Sequence, residues 1–247
     1  MAKVSITFAA WKEGRVAPGA GEVPVVEAGP KTPVQATAVV PASPQRAGVA
    51  NNLKQIGVAM HSYLGTHRAF PTAAIYGTDG KALLSWRVAL LPYLGEEALY
   101  QEFKLDEPWD SDHNKKLLNK MPAVYGVPGL DLKNRTLYQV FAGPGTMFEG
   151  TKGVRAADVI DGTSHTILAI ESGTPVRWTE PADLPYDAKQ PLPKLGAIFE
   201  NGYHALMADG TVRLMSRTIP ERILRLAIVR NDGVGFDDVP QPAKEKK

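Results

Sequence analysis

Cysteine is absent from the 247 residues, which excludes disulfides, thiolate metal sites and cysteine nucleophiles together. A long apolar run is also missing: no stretch approaches the roughly 18 residues of a membrane span. The opening MAKVSITFAAWKEG lacks the apolar core of a secretory signal. Charge of one sign is not in excess either. The 28 Lys+Arg and 26 Asp+Glu leave a formal net charge of +2, too little to draw nucleic acid or an anionic membrane surface. No G-x-x-x-x-G-K-[ST], no G-x-G-x-x-G and no H-E-x-x-H occurs, so no nucleotide, cofactor or zinc is expected. Of the five histidines, His61 and His67 stand six apart and do not share a helix face as ligands would. The five are expected as scattered surface or loop residues, and no metal site is expected.

What is present is an ordinary globular balance, 44% apolar and 22% charged, with length enough for one large domain or two small ones. Gly (23) and Pro (20) are abundant and forecast many turns. Six of those prolines and four of the glycines fall within the 36 positions from Lys12 to Ala47, which hold no aromatic residue. The expected organisation is a Pro/Gly-rich arm over 1–43, a folded domain over 44–236 and a charged tail over 237–247.

Ser43 and Pro44 suit the cap and first position of a helix. Val49, Leu53, Ile56, Met60 and Tyr63 or Leu64 then recur at helical steps, and Gly65 offers a stop. Gly57 weakens that helix by about 1 kcal/mol relative to Ala, which points to a close packing partner. Ser85 can cap a second helix that Pro92 breaks, and residues 96–103 suggest a further turn or two with Leu99 and Phe103 inward. Asp110 or Ser111 can cap a short helix through Leu118. Strand candidates follow at 137–141, 166–170, 203–208 and 211–215. Asp209-Gly210 between the last two reads as a hairpin with a type I′ turn. Thr218 and Pro220 start a last helix with Ile223, Leu226 and Ala227 on one face. Helices, then strands, then a closing helix predict an α+β fold with an antiparallel sheet.

Three segments invite chemistry. Asp161-Gly162-Thr163-Ser164-His165-Thr166 holds a Ser beside a His, but Thr166 stands where a nucleophile elbow needs Gly. A tight turn, with Asp161 bonding backbone and Gly162 at positive φ, explains it better. Trp109 to Asn114 has oxygen ligands at alternate positions like half a calcium loop. It lacks the Gly and distal Glu of an EF-hand, and helix capping accounts for the same residues. Trp178, in a Pro-studded loop, can plug onto the core or line a binding surface, as can Trp86.

The segment Asn51-Asn52-Leu53-Lys54-Gln55-Ile56-Gly57, followed by His61-Ser62-Tyr63, resembles the NNLKQIG helix of a bacterial family. Its members carry a prepilin-type N-terminus and a domain of unknown function, also labelled as similar to extracellular solute-binding proteins. Ser85-Trp86-Arg87, Leu90 to Leu94 and Glu107 to Ser111 resemble its SWR, LLPYL and EPWDS segments. Asp161 to Ser164, Glu171, Trp178-Thr179 with Asp183-Leu184, and Asp209 to Arg213 resemble further family segments. The sequence departs from the family in two places. The Pro-rich arm stands where the family has a long apolar helix, and Phe199 stands where some relatives carry a His nine residues before the terminal Asp-Gly.

The resemblance implies a pilin-like or pseudopilin-like head, an N-terminal helix on an antiparallel sheet with long loops. It implies an extracytoplasmic or cell-surface setting, and its motif residues here are Asn51, Asn52, Trp86, Trp109, Asp161, Gly162, Asp209 and Gly210. The expected function is therefore non-enzymatic: a surface or secretion-associated protein acting through protein partners, with no catalytic residues. The alternative is an extracellular solute- or glycan-binding module lined by Trp178 and Trp86. A hydrolase built on Ser164 would need a base in reach of its hydroxyl. Without chemistry, Asn51 and Asn52 can tie the helix to loops, and the tryptophans can anchor loops.

Overall fold

The structure, a computed structural model, describes residues 43–238; the expected arm apart from Ser43 and most of the charged tail lie outside the described residues. Helix α1 (Pro44–His67) starts as the sequence predicts, with the Ser43 hydroxyl accepting from the Arg46 amide at 3.2 Å. Its buried stripe is Val49, Leu53, Ile56, Ala59 and Met60. The helix does not stop at Gly65. It ends where Arg68 turns left-handed (φ 62°) and donates its amide to Leu64 O. A non-glycine residue there stores roughly 1–2 kcal/mol, so Arg68→Gly is expected to raise the unfolding free energy by up to about 1 kcal/mol. Urea titration checks this; a loss of stability would mean that the exposed arginine side chain holds the cap.

A short antiparallel hairpin follows, β1 (Ala74–Tyr76) with β2 (Ala82–Ser85), which the sequence pattern does not announce. Helix α2 (Trp86–Ala89) is capped by Ser85, as expected, and gives way to a 3-10 turn over Leu91–Leu94 that contains Pro92. Helix α3 (Glu97–Glu102) turns Leu99 and Phe103 inward. Ser111 Oγ accepts from the Asn114 amide at 3.0 Å and opens a 3-10 stretch, Asn114–Lys120.

The second half is the sheet. Its strands are β3 (Arg135–Gln139), β5 (Ile167–Arg177), β7 (Tyr203–Met207) and β8 (Val212–Met215), all antiparallel, in the order β3-β5-β7-β8. A small parallel pair, β4 (Phe141–Ala142) with β6 (Leu184–Pro185), lies beside it, and helix α4 (Glu221–Ile228) closes the domain. The fold is α+β around an antiparallel sheet.

Alternation along β7 sets the layers. Leu206 joins the apolar cluster that holds Leu53, Ile56, Met60, Trp86 and Trp178. Tyr203, Ala205 and Met207 join the other, with Ile223, Leu224, Ala227 and Ile228 of α4. With a period of two, α1 covers one face of the sheet and α4 the other. Gly57 permits this contact on the α1 side: a Cβ there would lie 2.8 Å from Leu206 Cδ1.

Candidate functional site

The Ser85-Trp86-Arg87 segment carries polar groups into the interior. Arg87 is fully buried and ion-paired to Asp183 at 2.9 Å, with side-chain exposures of 0% and 3%. Its guanidinium also donates to Tyr138 O at 2.6 and 3.1 Å and to Ser85 Oγ at 2.6 Å. Asp183 Oδ1 further accepts from Trp86 Nε1 and the Val140 amide, while Asp183 Oδ2 has no partner among the described residues. Burial pushes the Asp183 carboxyl above its ordinary range; Arg87, the Val140 amide and the Trp86 indole pull it the other way. This cluster joins α2, β3 and the loop before β6, and its geometry is that of a brace.

Trp86 and Trp178 do not line a binding surface. Both are fully buried. Trp178 Nε1 donates to Leu118 O at 2.9 Å, its ring stacks on Tyr125 at 6.1 Å, and Phe103 meets it edge-on. Trp86 stands edge-on to Tyr125 with the Arg87 guanidinium over its ring. Each indole N–H already has an acceptor and no ring face meets solvent, so the expectation of a tryptophan-lined pocket is corrected. Trp109 does anchor its loop: its amide donates to Leu83 O, and Arg177 lies 5.0 Å from its ring. Asn114 fastens the same loop through Lys104, Glu107 and Pro108 backbone atoms. No group of three or more His, Asp or Glu side chains able to hold a metal occurs among the described residues.

His204 is not a surface histidine. It is buried on β7, with Nδ1 2.6 Å from Glu171 Oε2 of β5, and its backbone amide donates to the same oxygen. Phe199 covers the imidazole edge-on at 5.8 Å, and Arg46 of α1 lies 4.2 Å over Phe199. Glu171 Oε1 and Arg46 Nη1 are buried without partners among the described residues. Glu171 stands out in the sequence by family resemblance alone; its pairing with a residue 33 positions away has no local signature.

The two Asp-Gly turns meet each other. Asp161 accepts the amides of Asp232 and Gly233 at 3.0 and 2.7 Å, and Gly162 has φ +95°, so the expected turn is present and also clasps a distant loop. Thr163 O and Thr166 O accept the Asp209 and Ala208 amides. His165 turns to Asp237, at 3.4 Å, and Ser164 has no hydrogen-bonded base among the described residues.

The Asp209-Gly210 hairpin exists, but its turn is not type I′. Asp209 lacks the positive φ that type demands; Gly210 alone has it, at +86°. Met207 O accepts the Gly210 amide and Thr211 O accepts the Met207 amide. That is a three-residue loop with Gly at its left-handed position. Gly210→Val should cost about 1–3 kcal/mol of backbone strain, read as a lower melting temperature; an unchanged melt would overturn this reading of the loop.

Against this loop lies the outer face of α1. Two open grooves flank it, sharing Lys54 and Val58. One is bounded by Gly57, His61, Ser62, Asp209 and Gly210, the other by Asn51, Gln55, Tyr93 and Leu94. Val58 is 61% exposed. Asn52 does tie α1 inward, donating to Gly126 O at 2.8 Å and to Tyr138 Oη at 3.4 Å. Asn51 does not: it faces outward, without a partner among the described residues.

Residues 46–131 match the model of a family described as a protein of unknown function (DUF1559). The NNLKQIG, SWR, LLPYL and EPWDS segments all fall inside that span. No curated protein and no solved structure matches the chain.

Proposed function

We propose that this chain is a non-enzymatic, pseudopilin-like surface or secretion-associated protein that acts through protein contacts made by the outer face of α1. The observation that carries this reading is a division of labour among the motif residues. Trp86, Arg87, Trp178, Asp183, Glu171 and Asp161 all bond within the fold. The outer face of α1 instead presents Val58 between two open grooves. A helix laid on an antiparallel sheet is also the architecture that the family resemblance implies.

Because the chain has no cysteine, Val58→Cys supplies a single site for cross-linking in the producing bacterium. The expected result is a discrete cross-linked protein species that Ser62→Asp abolishes. Cross-linking no stronger at position 58 than at the exposed Ile160 would sink the reading.

A further inference from the structure

Packing accounts for Asn52, Leu53, Ile56 and Gly57 of the first helix motif, but not for Asn51, Lys54 and Gln55. These three are exposed and make no side-chain hydrogen bond or ion pair among the described residues. With Val58 they fall at i, i+3, i+4 and i+7, one face of α1. They line one groove, whose opposite wall is Tyr93 and Leu94. Tyr93 is held in place: its hydroxyl lies 3.0 Å from His67 Nε2, and Tyr63 meets its ring edge-on at 5.6 Å.

The groove therefore offers a fixed aromatic ring, a small apolar floor at Val58 and Leu94, two free amides and one ammonium. Among the described residues no acidic side chain lines it. A carboxamide carries a donor pair and an acceptor side by side, which matches neighbouring hydroxyls on a sugar ring. A tyrosine presents an apolar body for the C–H face of such a ring. Lys54, with no ion-pair partner among the described residues, favours an anion, and one cation there suits one carboxylate per ligand unit better than the dense charge of an acidic peptide.

We propose that this groove is a binding site for an acidic sugar, a uronate unit of a polysaccharide. The carboxylate sits at Lys54, hydroxyls at Asn51 and Gln55, and the ring against Tyr93. The proposal goes beyond the protein-contact reading and does not rest on it, since its test needs only the purified chain.

The probes are a galacturonate trimer, maltotriose as its neutral counterpart, a tri-aspartate peptide and acetate, each titrated into isotope-labelled protein and followed by amide chemical shifts. The trimer is expected to shift residues 51–58 and 93–94 saturably, and to bind at least about tenfold more tightly than maltotriose or acetate. Asn51→Ala and Gln55→Ala, exposed helix positions where alanine preserves the fold, should each weaken it about three- to tenfold. Lys54→Gln should remove the preference over maltotriose. Three results would overturn the proposal: no saturable shift in this groove, binding that ignores the Asn51 and Gln55 substitutions, or tighter binding of tri-aspartate at the same residues.

Discussion

Arg87→Met is expected to remove about 3–5 kcal/mol of stability at neutral pH, the range for breaking a buried pair by deleting one partner. The substitution leaves Asp183 enclosed, with Oδ2 already unpartnered and Oδ1 deprived of its guanidinium. It also strips the Tyr138 carbonyl of both its arginine donors. The deficit should depend on pH, and the sign is fixed by burial. Desolvation raises the Asp183 carboxyl already in the native protein, and without Arg87 the opposing attraction is gone. A carboxyl raised by folding favours the fold below its unfolded value and disfavours it as pH climbs toward the folded one. The gap from wild type should therefore be smallest in acid, where Asp183 is protonated in both proteins, and open as pH climbs past the raised wild-type value toward the still higher one of the variant. Urea midpoints at several pH values test this. Adding Asp183→Leu to Arg87→Met should recover much of the loss, because no buried charge is then left alone. If the double variant is as unstable as the single one, the ion pair is not the source of the deficit.

Trp178→Ala should be of similar size, about 3–5 kcal/mol. It empties a fully buried volume between Tyr125 and Phe103 and orphans the Leu118 carbonyl. For a domain of this size that corresponds to a melting temperature lower by roughly 6–20 °C. Trp178→Phe fills most of the space and loses the indole N–H, so it should cost about 1–3 kcal/mol. A binding residue would give a different pattern: a small stability change and a lost ligand. An alanine variant as stable as wild type would return Trp178 to the surface reading.

Much of this fold was readable residue by residue. The stripe from Val49 to Met60, the Ser43-Pro44 start and the Ser85 cap are local, and local rules suffice for them. Asp-Gly between two apolar runs announced the last hairpin, though not its turn type. That type depends on how many residues the strands leave unpaired, and so on the Met207–Thr211 register. The β1–β2 hairpin escaped notice because its strands are three and four residues long with an irregular register.

The site was less legible, for a different reason. Tryptophan is equally suited to plugging a loop and to greeting a ligand, and the sequence of the Pro-rich loop does not say which side faces the core. His204 shows the same limit: its burial follows from β7 being covered on both faces, a property of the sheet order and not of the residues around it. Conversely, Asn51, Lys54 and Gln55 stood in a recognisable motif, but only the structure separates them from Asn52, Leu53 and Ile56 by the direction in which they point.

The contact of Gly57 with Leu206 and Gly210 also has a bearing on biosynthesis. The strand that helix α1 packs on is made about 150 residues after it. At roughly 5–20 residues per second, the stripe of Leu53, Ile56 and Met60 waits about 8–30 s for its sheet. During that interval the nascent chain carries an uncovered apolar helix face, a substrate for holding chaperones. Folding can be completed only after the closing hairpin has left the ribosome.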